Sequence, residues 1–143
     1  MAENKCMKPV EVLLVEDNAG DTLLIQQTLA EGSIPVRIHV ARDGEQALQM
    51  LDDPQFSPGL IILDLNIPRI PGSAVLERYH STKTPIVIFS SSWNEAEISR
   101  AMELGAREFA QKPTDLQAFS DVVCGMVEKW ALREEADSTA SGS

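Results

Sequence analysis

Five short apolar segments alternate with five helical patterns along this chain, and that alternation limits the fold more than any other feature. Between the segments, apolar residues recur every three or four positions, as on the inner face of a helix. Strands that alternate with helices pair in parallel through right-handed crossovers. The sequence therefore predicts an α/β fold with a parallel sheet and helices on both faces. The predicted strands are Val10–Val15, Val36–Val40, Leu60–Leu63, Pro85–Phe89 and Arg107–Gln111.

The composition suits one domain of ordinary size. The chain has 143 residues, of which 43% are hydrophobic and 24% charged. We expect an N-terminal segment at 1–8, a domain at 9–131, and a flexible acidic, Ser-rich tail at 132–143 with no output domain. No apolar run approaches the roughly 20 residues that cross a bilayer, and the N-terminus lacks a signal-peptide pattern.

Charge and cysteine content indicate which partners to expect. The net charge of −10 argues against nucleic-acid binding, which needs lysines and arginines gathered on one face. Cys6 and Cys124 do not make a disulfide framework, so we expect a cytoplasmic protein. Proteins are the expected partners, and an acidic site could hold a cation.

Polar side chains stand at the start of helical patterns, including the first, the fourth and the last. Asn18 can cap the first helix, Ser92 and Glu95 have capping-box spacing before the fourth, and Thr114 and Gln117 before the last. The sequence therefore predicts a helix that begins at each of these places.

Polar or charged residues also follow four of the predicted strands. They are Glu16 and Asp17, Asp64, Ser90 and Lys112. Because parallel strands all end at one edge of the sheet, we expect these side chains to converge there. Open α/β sheets bind ligands at that edge.

The converging groups suit phosphoryl transfer. Acids that lie close together raise one another's pKa unless a cation joins them, and a hard cation such as Mg²⁺ prefers oxygen ligands. Lys112 can pair with a carboxylate or a phosphoryl oxygen, and Ser90 can donate a hydrogen bond to an oxyanion. Asp64 would then be the nucleophile.

These motifs resemble the response-regulator receiver domain over roughly Val10 to Trp130. The resemblance implies a flavodoxin-like (βα)5 fold with strand order 2-1-3-4-5. The matching stretches are Glu16-Asp17, Asp64 to Pro68 through Gly72, Ser90, and Phe109 to Pro113.

The resemblance also implies a role for each site residue. Asp64 would accept a phosphoryl group from a sensor histidine kinase. Asp17, Asp64 and the backbone carbonyl of Asn66 would bind Mg²⁺, and Glu16 would act through a metal-bound water. Glu16 stands where aspartate is common in the family, so it reaches further toward the metal.

Further roles concern the phosphoryl group and its effect. Ser90 would bond the phosphoryl group, and Lys112 would pair with it. Phe109 would be an aromatic switch that turns inward when Ser90 moves, and the Lys112–Pro113 peptide bond would be cis. Ser90 and Phe109 replace the commoner threonine and tyrosine of the family. Two alternatives stay open: Ser91 or Ser92 could take the place of Ser90, and Phe109 could be only a core aromatic.

The implied function is a single-domain response regulator of a two-component phosphorelay. Its phosphorylated form would signal to a downstream protein by contact, or relay phosphate to a phosphotransfer protein, and it would not be an enzyme beyond its own phosphorylation and dephosphorylation. The pattern of Glu16, Asp17 and Asn18 with Asp21 and Leu24 resembles short receivers that serve bacterial phytochrome-type kinases, some of which form homodimers.

Three other functions compete with this one. A haloacid-dehalogenase-type phosphatase also attacks phosphate with a strand-end aspartate, but it needs an acid two positions later, where this chain has Asn66. A receiver-shaped scaffold would take no phosphate. A nucleotide-binding role is disfavoured because the first strand leads into Glu16-Asp17-Asn18 and not into a glycine-rich loop.

Overall fold

The structure, a computed structural model, describes residues 8–67, 71–79, 84–91 and 94–142, with 131–142 described by their backbone alone. The strands are Val10–Val15 (β1), Val36–Ala41 (β2), Leu60–Leu63 (β3), Ile86–Ser90 (β4) and Glu108–Gln111 (β5). The helices are Ala19–Ala30 (α1), Gly44–Asp52 (α2), Gly72–Arg78 (α3), Glu95–Glu103 (α4) and Leu116–Gly142 (α5). The predicted alternation of strands and helices is confirmed.

All five strands pair in parallel, in the order β2-β1-β3-β4-β5. This order confirms the flavodoxin-like fold that the resemblance implied. Strands β3 and β4 lie inside the sheet and every one of their residues is buried. Because both faces of such a sheet are covered, β3 and β4 form apolar runs without alternating polar residues, and the only polar residue in them is Ser90 at the end of β4.

Successive strand residues supply two separate cores, one on each face of the sheet. Leu13 and Val15 face α2, α3 and α4, whereas Val12 and Leu14 face α1 and α5. The period of two in a strand thus divides one apolar segment between both cores. This packing fixes the strands, and therefore the edge at which they end.

Helix starts agree with the sequence in one case and differ in two. Asn18 caps α1, since its side chain accepts a hydrogen bond from the Asp21 N–H at 2.8 Å. Helix α4 is capped by Asn94, and α5 by Asp115, whose carboxylate accepts from the Ala118 N–H at 2.8 Å. Ser92, which we expected to cap α4, lies outside the described residues.

The last helix is longer than expected. Its backbone continues to Gly142, through the segment that we expected to form a tail from 132 onward. The division into segment, domain and tail stays a prediction. None of the helices in the described ranges is long and apolar enough to cross a membrane.

Candidate functional site

Strand pairing sets the positions of the polar residues at the carboxyl edge of the sheet. The Asp64 N–H donates to the Val15 carbonyl at 3.1 Å, which places Asp64 next to Glu16. The Lys112 N–H likewise donates to the Ser90 carbonyl at 2.9 Å. Each of these residues continues a buried or partly buried strand, so its backbone is held by the sheet. The structure therefore brings Glu16, Asp64, Ser90 and Lys112 together at this edge, as predicted.

The ammonium of Lys112 is the centre of this cluster. Its Nζ atom donates to Glu16 Oε1 at 2.7 Å, to Asp21 Oδ2 at 2.8 Å and to Asp64 Oδ2 at 2.9 Å. The Lys112 side chain is only 8% exposed. Three carboxylates therefore share one cation that is largely withdrawn from water.

Both carboxylate oxygens of Asp64 accept hydrogen bonds. Oδ1 accepts from the Ser90 hydroxyl at 2.8 Å and from the Asn66 N–H at 2.9 Å, and Oδ2 accepts from Lys112. Asp64 is 5% exposed and Ser90 is fully buried. The carboxylate is thus held in one orientation by a hydroxyl, a backbone amide and an ammonium.

Burial changes the acidity of Glu16, which is 2% exposed. Loss of hydration raises the pKa of this carboxyl from 4.5 to about 7. The hydrogen bond from Lys112 lowers the pKa but does not cancel this rise, and the negative charge of Asp64 adds to it. Its other oxygen accepts the Asn18 N–H at 3.1 Å. A carboxyl with such a pKa takes up a proton more readily than an exposed glutamate does.

The pKa of Lys112 is raised above its ordinary value. Burial alone would lower it, but the hydrogen bonds to Asp21, Glu16 and Asp64 together outweigh that effect. The side chain therefore carries its positive charge throughout the neutral range, and it offsets part of the negative charge of the site.

The other predicted site residues, Asp17, Asn66 and Phe109, differ in exposure and in contacts. Asp17 is exposed, directly after the buried Glu16. Asn66 is exposed too, and its contact with Asp64 runs through its backbone N–H. Phe109 is half-buried and packs against the core on the α2, α3 and α4 face. The proposed inward rotation of Phe109 after phosphorylation stays a prediction.

Asp21 is the site residue that the sequence interpretation did not place. It lies in the first turn of α1, where its backbone N–H is held by the Asn18 cap. The available signal was its position: Asp21 follows the predicted cap Asn18 by three residues, so it lies in the first helical turn, next to the strand end from which the helix starts. In the sequence, Asp21 contributes only to the resemblance to receivers that serve phytochrome-type kinases.

The backbone of Gly72, at the start of α3, packs against the end of β3, and its N–H donates to the Leu65 carbonyl at 3.3 Å. A Cβ atom at this position would lie 2.8 Å from the Asp64 carbonyl oxygen and 2.8 Å from the Leu65 Cα. Only glycine leaves room for α3 to approach the end of β3 so closely.

The Lys112–Pro113 peptide bond corrects one expectation. The resemblance implied a cis bond, but the described residues contain no cis peptide, so this bond is trans. Trans is the lower-energy isomer of an X–Pro bond by roughly 0.5–1 kcal/mol. The cis expectation came from the family alone, and Lys112 reaches all three carboxylates with the trans bond.

The oxygen donors at this edge suit a hard divalent cation. Glu16, Asp17, Asp64 and the Asn66 carbonyl offer only oxygen, and Mg²⁺ typically takes one or two carboxylates with waters and phosphate oxygens. Among the described residues, no group of three or more His, Cys, Asp or Glu side chains is arranged to hold a metal. That agrees with the geometry, because Lys112 already occupies the centre of the Glu16, Asp21 and Asp64 carboxylates.

The family model of the response regulator receiver domain matches residues 12–123. The chain belongs to the response regulator receiver family. Among its relatives is the response regulator Rcp1 of Synechocystis sp., which is 30% identical over 131 residues that cover 85% of this chain and 89% of Rcp1. A protein-glutamate methylesterase of Anaeromyxobacter dehalogenans is 33% identical over 74% of this chain, which matches only 30% of that larger protein.

Two solved receiver structures are similar to this chain in fold as well as in sequence. The phosphorylated cyanobacterial phytochrome response regulator RcpA has a TM-score of 0.81 and 32% identity, with 86% of this chain and 94% of that chain covered. The Mn²⁺-bound form of Rcp1 has a TM-score of 0.79 and 30% identity, with 86% and 95% covered.

Membership of this family defines the broad function. The chain is a receiver domain of two-component signalling, and it is homologous to phytochrome-associated response regulators. Receiver domains bind a divalent metal and work with histidine kinases. The phosphatase alternative is not favoured.

Proposed function

We propose that Asp64 accepts a phosphoryl group from a sensor histidine kinase and that the phosphorylated chain transmits a signal. The observation that carries this proposal is the arrangement around Asp64 in a chain of the receiver family. Lys112 lies at 2.9 Å from one carboxylate oxygen and Ser90 at 2.8 Å from the other. A carboxylate oriented in this way can attack a phosphorus atom, while an ammonium and a hydroxyl stand ready for the phosphoryl oxygens.

The transfer needs little covalent chemistry from the protein. One Asp64 oxygen forms a bond to phosphorus, the bond from phosphorus to the kinase histidine breaks, and its electron pair returns to the imidazole nitrogen. The donors of Ser90 and Lys112 that bind the Asp64 carboxylate can then pass to the new phosphoryl oxygens. Catalysis of this kind rests on positioning and on charge stabilisation.

We propose Mg²⁺ as the metal, held by Asp17, Asp64 and the Asn66 carbonyl, with Glu16 acting through a bound water. When bound, Mg²⁺ would offset the charge on the phosphoryl oxygens. The side chains of this chain supply the rest of the site: Asp64 the acceptor, and Lys112 a fixed positive charge.

We also propose the partners and the output. The similarity to two phytochrome-associated regulators favours a phytochrome-type kinase as the phosphoryl donor. The chain would act in the cytoplasm and would not turn over other substrates. It would signal by contact with a downstream protein or relay its phosphate to a phosphotransfer protein. We also propose that it forms a homodimer. An aspartyl phosphate carries roughly −1.5 to −2 charges where the carboxylate carried one, and this change can shift a packed element such as the one carrying Phe109 between two positions.

The proposal can be tested without the kinase. The chain is incubated with Mg²⁺ and acetyl phosphate, and the intact masses of wild type and Asp64→Asn are compared. We expect one added phosphoryl group on wild type and none on the variant. An equal gain on the variant would refute the role of Asp64, and sustained hydrolysis of p-nitrophenyl phosphate would favour a phosphatase.

A further inference from the structure

Every hydrogen-bond donor of the Lys112 ammonium is in use. A lysine ammonium has three N–H donors, and Lys112 places them on three different carboxylates at 2.7, 2.8 and 2.9 Å. Any group that arrives at Asp64 and needs Lys112 must therefore take a donor from one of these partners, or share it.

Asp21 differs from the other two partners in position and in solvation. Its side chain is 30% exposed, whereas those of Glu16 and Asp64 are 2% and 6% exposed. It comes from α1 and not from a strand end, and the Asn18 cap fixes its backbone. Asp21 thus contacts the ammonium from the more solvated side of the site.

The charge of Asp21 opposes what the site is proposed to do. Three carboxylates around one ammonium leave the cluster negative before any phosphoryl group arrives. With a phosphoryl group on Asp64, this residue carries roughly −1.5 to −2 charges in place of the single charge of its carboxylate, close to the same ammonium. Asp21 repels this new charge and also holds a share of the positive charge that would stabilise it.

We propose that Asp21 is a positioning residue that limits phosphoryl binding at Asp64 by competing for Lys112. The inference rests on the proposed function of Asp64 as phosphoryl acceptor. Through its hydrogen bond, Asp21 keeps the ammonium directed partly toward α1. The strength of this competition sets how strongly the phosphorylated state is favoured.

An equilibrium titration with beryllium fluoride, a mimic of the phosphoryl group, tests the inference. Calorimetry at saturating Mg²⁺ measures its affinity for wild type, Asp21→Asn and Asp21→Glu. Asparagine keeps the shape of the side chain but removes its charge, so we expect roughly tenfold tighter binding, the effect of one nearby like charge. Glutamate keeps the charge, so we expect an affinity close to that of wild type.

Two controls make the outcomes distinct. Glu31→Gln makes the same change in net charge at the exposed end of α1, and it should leave the affinity unchanged. Asp64→Asn should abolish binding, and a wild type that binds no beryllium fluoride at Asp64 would overturn the proposed function and this inference with it. If wild type binds and Asp21→Asn binds equally or more weakly, the competition by Asp21 is refuted. It is also refuted if Asp21→Glu behaves like Asp21→Asn.

Discussion

At the scale of single residues, the Ser90 hydroxyl orients the proposed acceptor carboxylate. It is fully buried and donates to Asp64 Oδ1 at 2.8 Å, from the last position of β4. Ser91, its neighbour, is exposed. The structure therefore favours Ser90 over Ser91 as the serine of the site.

Replacing Ser90 by alanine should slow phosphorylation by acetyl phosphate about tenfold, because a hydrogen bond to a charged group is lost. Asp64 keeps its bonds from Asn66 and Lys112, so the chain should still fold. Rates come from the time course of intact mass, with Ser91→Ala as the matched control. Equal rates for Ser90→Ala and wild type, or a slow Ser91→Ala, would contradict this assignment.

Glu16 should make the stability of the fold depend on pH. Its pKa is raised by burial from 4.5 to about 7, so between these values the folded chain binds more protons than the unfolded chain. The free energy of unfolding should then fall as the pH rises through this range.

Glu16→Gln removes this titration and serves as the comparison. Urea unfolding in the presence of a chelator measures the stability of both proteins at several pH values. Between about pH 5 and about pH 7, the free energy of unfolding should fall by about 2 kcal/mol more for wild type than for the variant. Only the difference in slope matters, since glutamine changes the stability at every pH. Parallel slopes for the two proteins would show that Glu16 is not the group that titrates.

At the scale of elements, the approach of α3 to the end of β3 depends on Gly72. Alanine here would place its Cβ 2.8 Å from the backbone of Asp64 and Leu65, and backbone atoms cannot move aside cheaply. We expect Gly72→Ala to lower the free energy of unfolding by about 1–3 kcal/mol and to slow phosphorylation, because the backbone of Asp64 shifts.

Gly125 in α5 is the matched control. An added Cβ there meets nothing within 4 Å, so Gly125→Ala should stabilise the chain by about 0.5–1 kcal/mol. Urea unfolding of both variants checks the pair. A Gly72→Ala variant as stable as Gly125→Ala would mean that the close contact at Asp64 can relax without cost.

Helix starts show where a sequence pattern stops being informative. Several polar residues precede α5, and Thr114 and Asp115 both have cap chemistry, yet the structure uses Asp115. Which of two adjacent residues caps a helix depends on how the chain leaves the preceding strand, and the pattern does not contain that path. At α1, Asp17 and Asn18 both have cap chemistry, and the structure uses the predicted Asn18.

At the scale of the whole molecule, strand types and the convergence of the strand ends followed from the sequence. Apolar segments that end at polar or charged residues place Asp64, Ser90 and Lys112 at the same edge of any parallel sheet. The strand order came from the family resemblance, because periodicity does not say which strands adjoin.

The threefold contact of Lys112 could not be predicted from the strands. Two of its partners stand at strand ends, but Asp21 comes from a helix, and its direction depends on how α1 packs against α5. The trans Lys112–Pro113 bond likewise departs from the family expectation. The sequence thus predicts that the strand ends share one edge of the sheet. It does not predict contacts between a helix and a strand end, because these depend on how the helices pack.

The most direct test of the central claim is to locate the phosphoryl group in the chain. After acetyl phosphate treatment with Mg²⁺, borohydride reduces an aspartyl phosphate to homoserine, and mass spectrometry of the peptides identifies the position. We predict homoserine at position 64, absent when acetyl phosphate is omitted. Homoserine at Asp17 or Asp21, with Asp64 unchanged, would contradict the assignment of Asp64 as the phosphoryl acceptor.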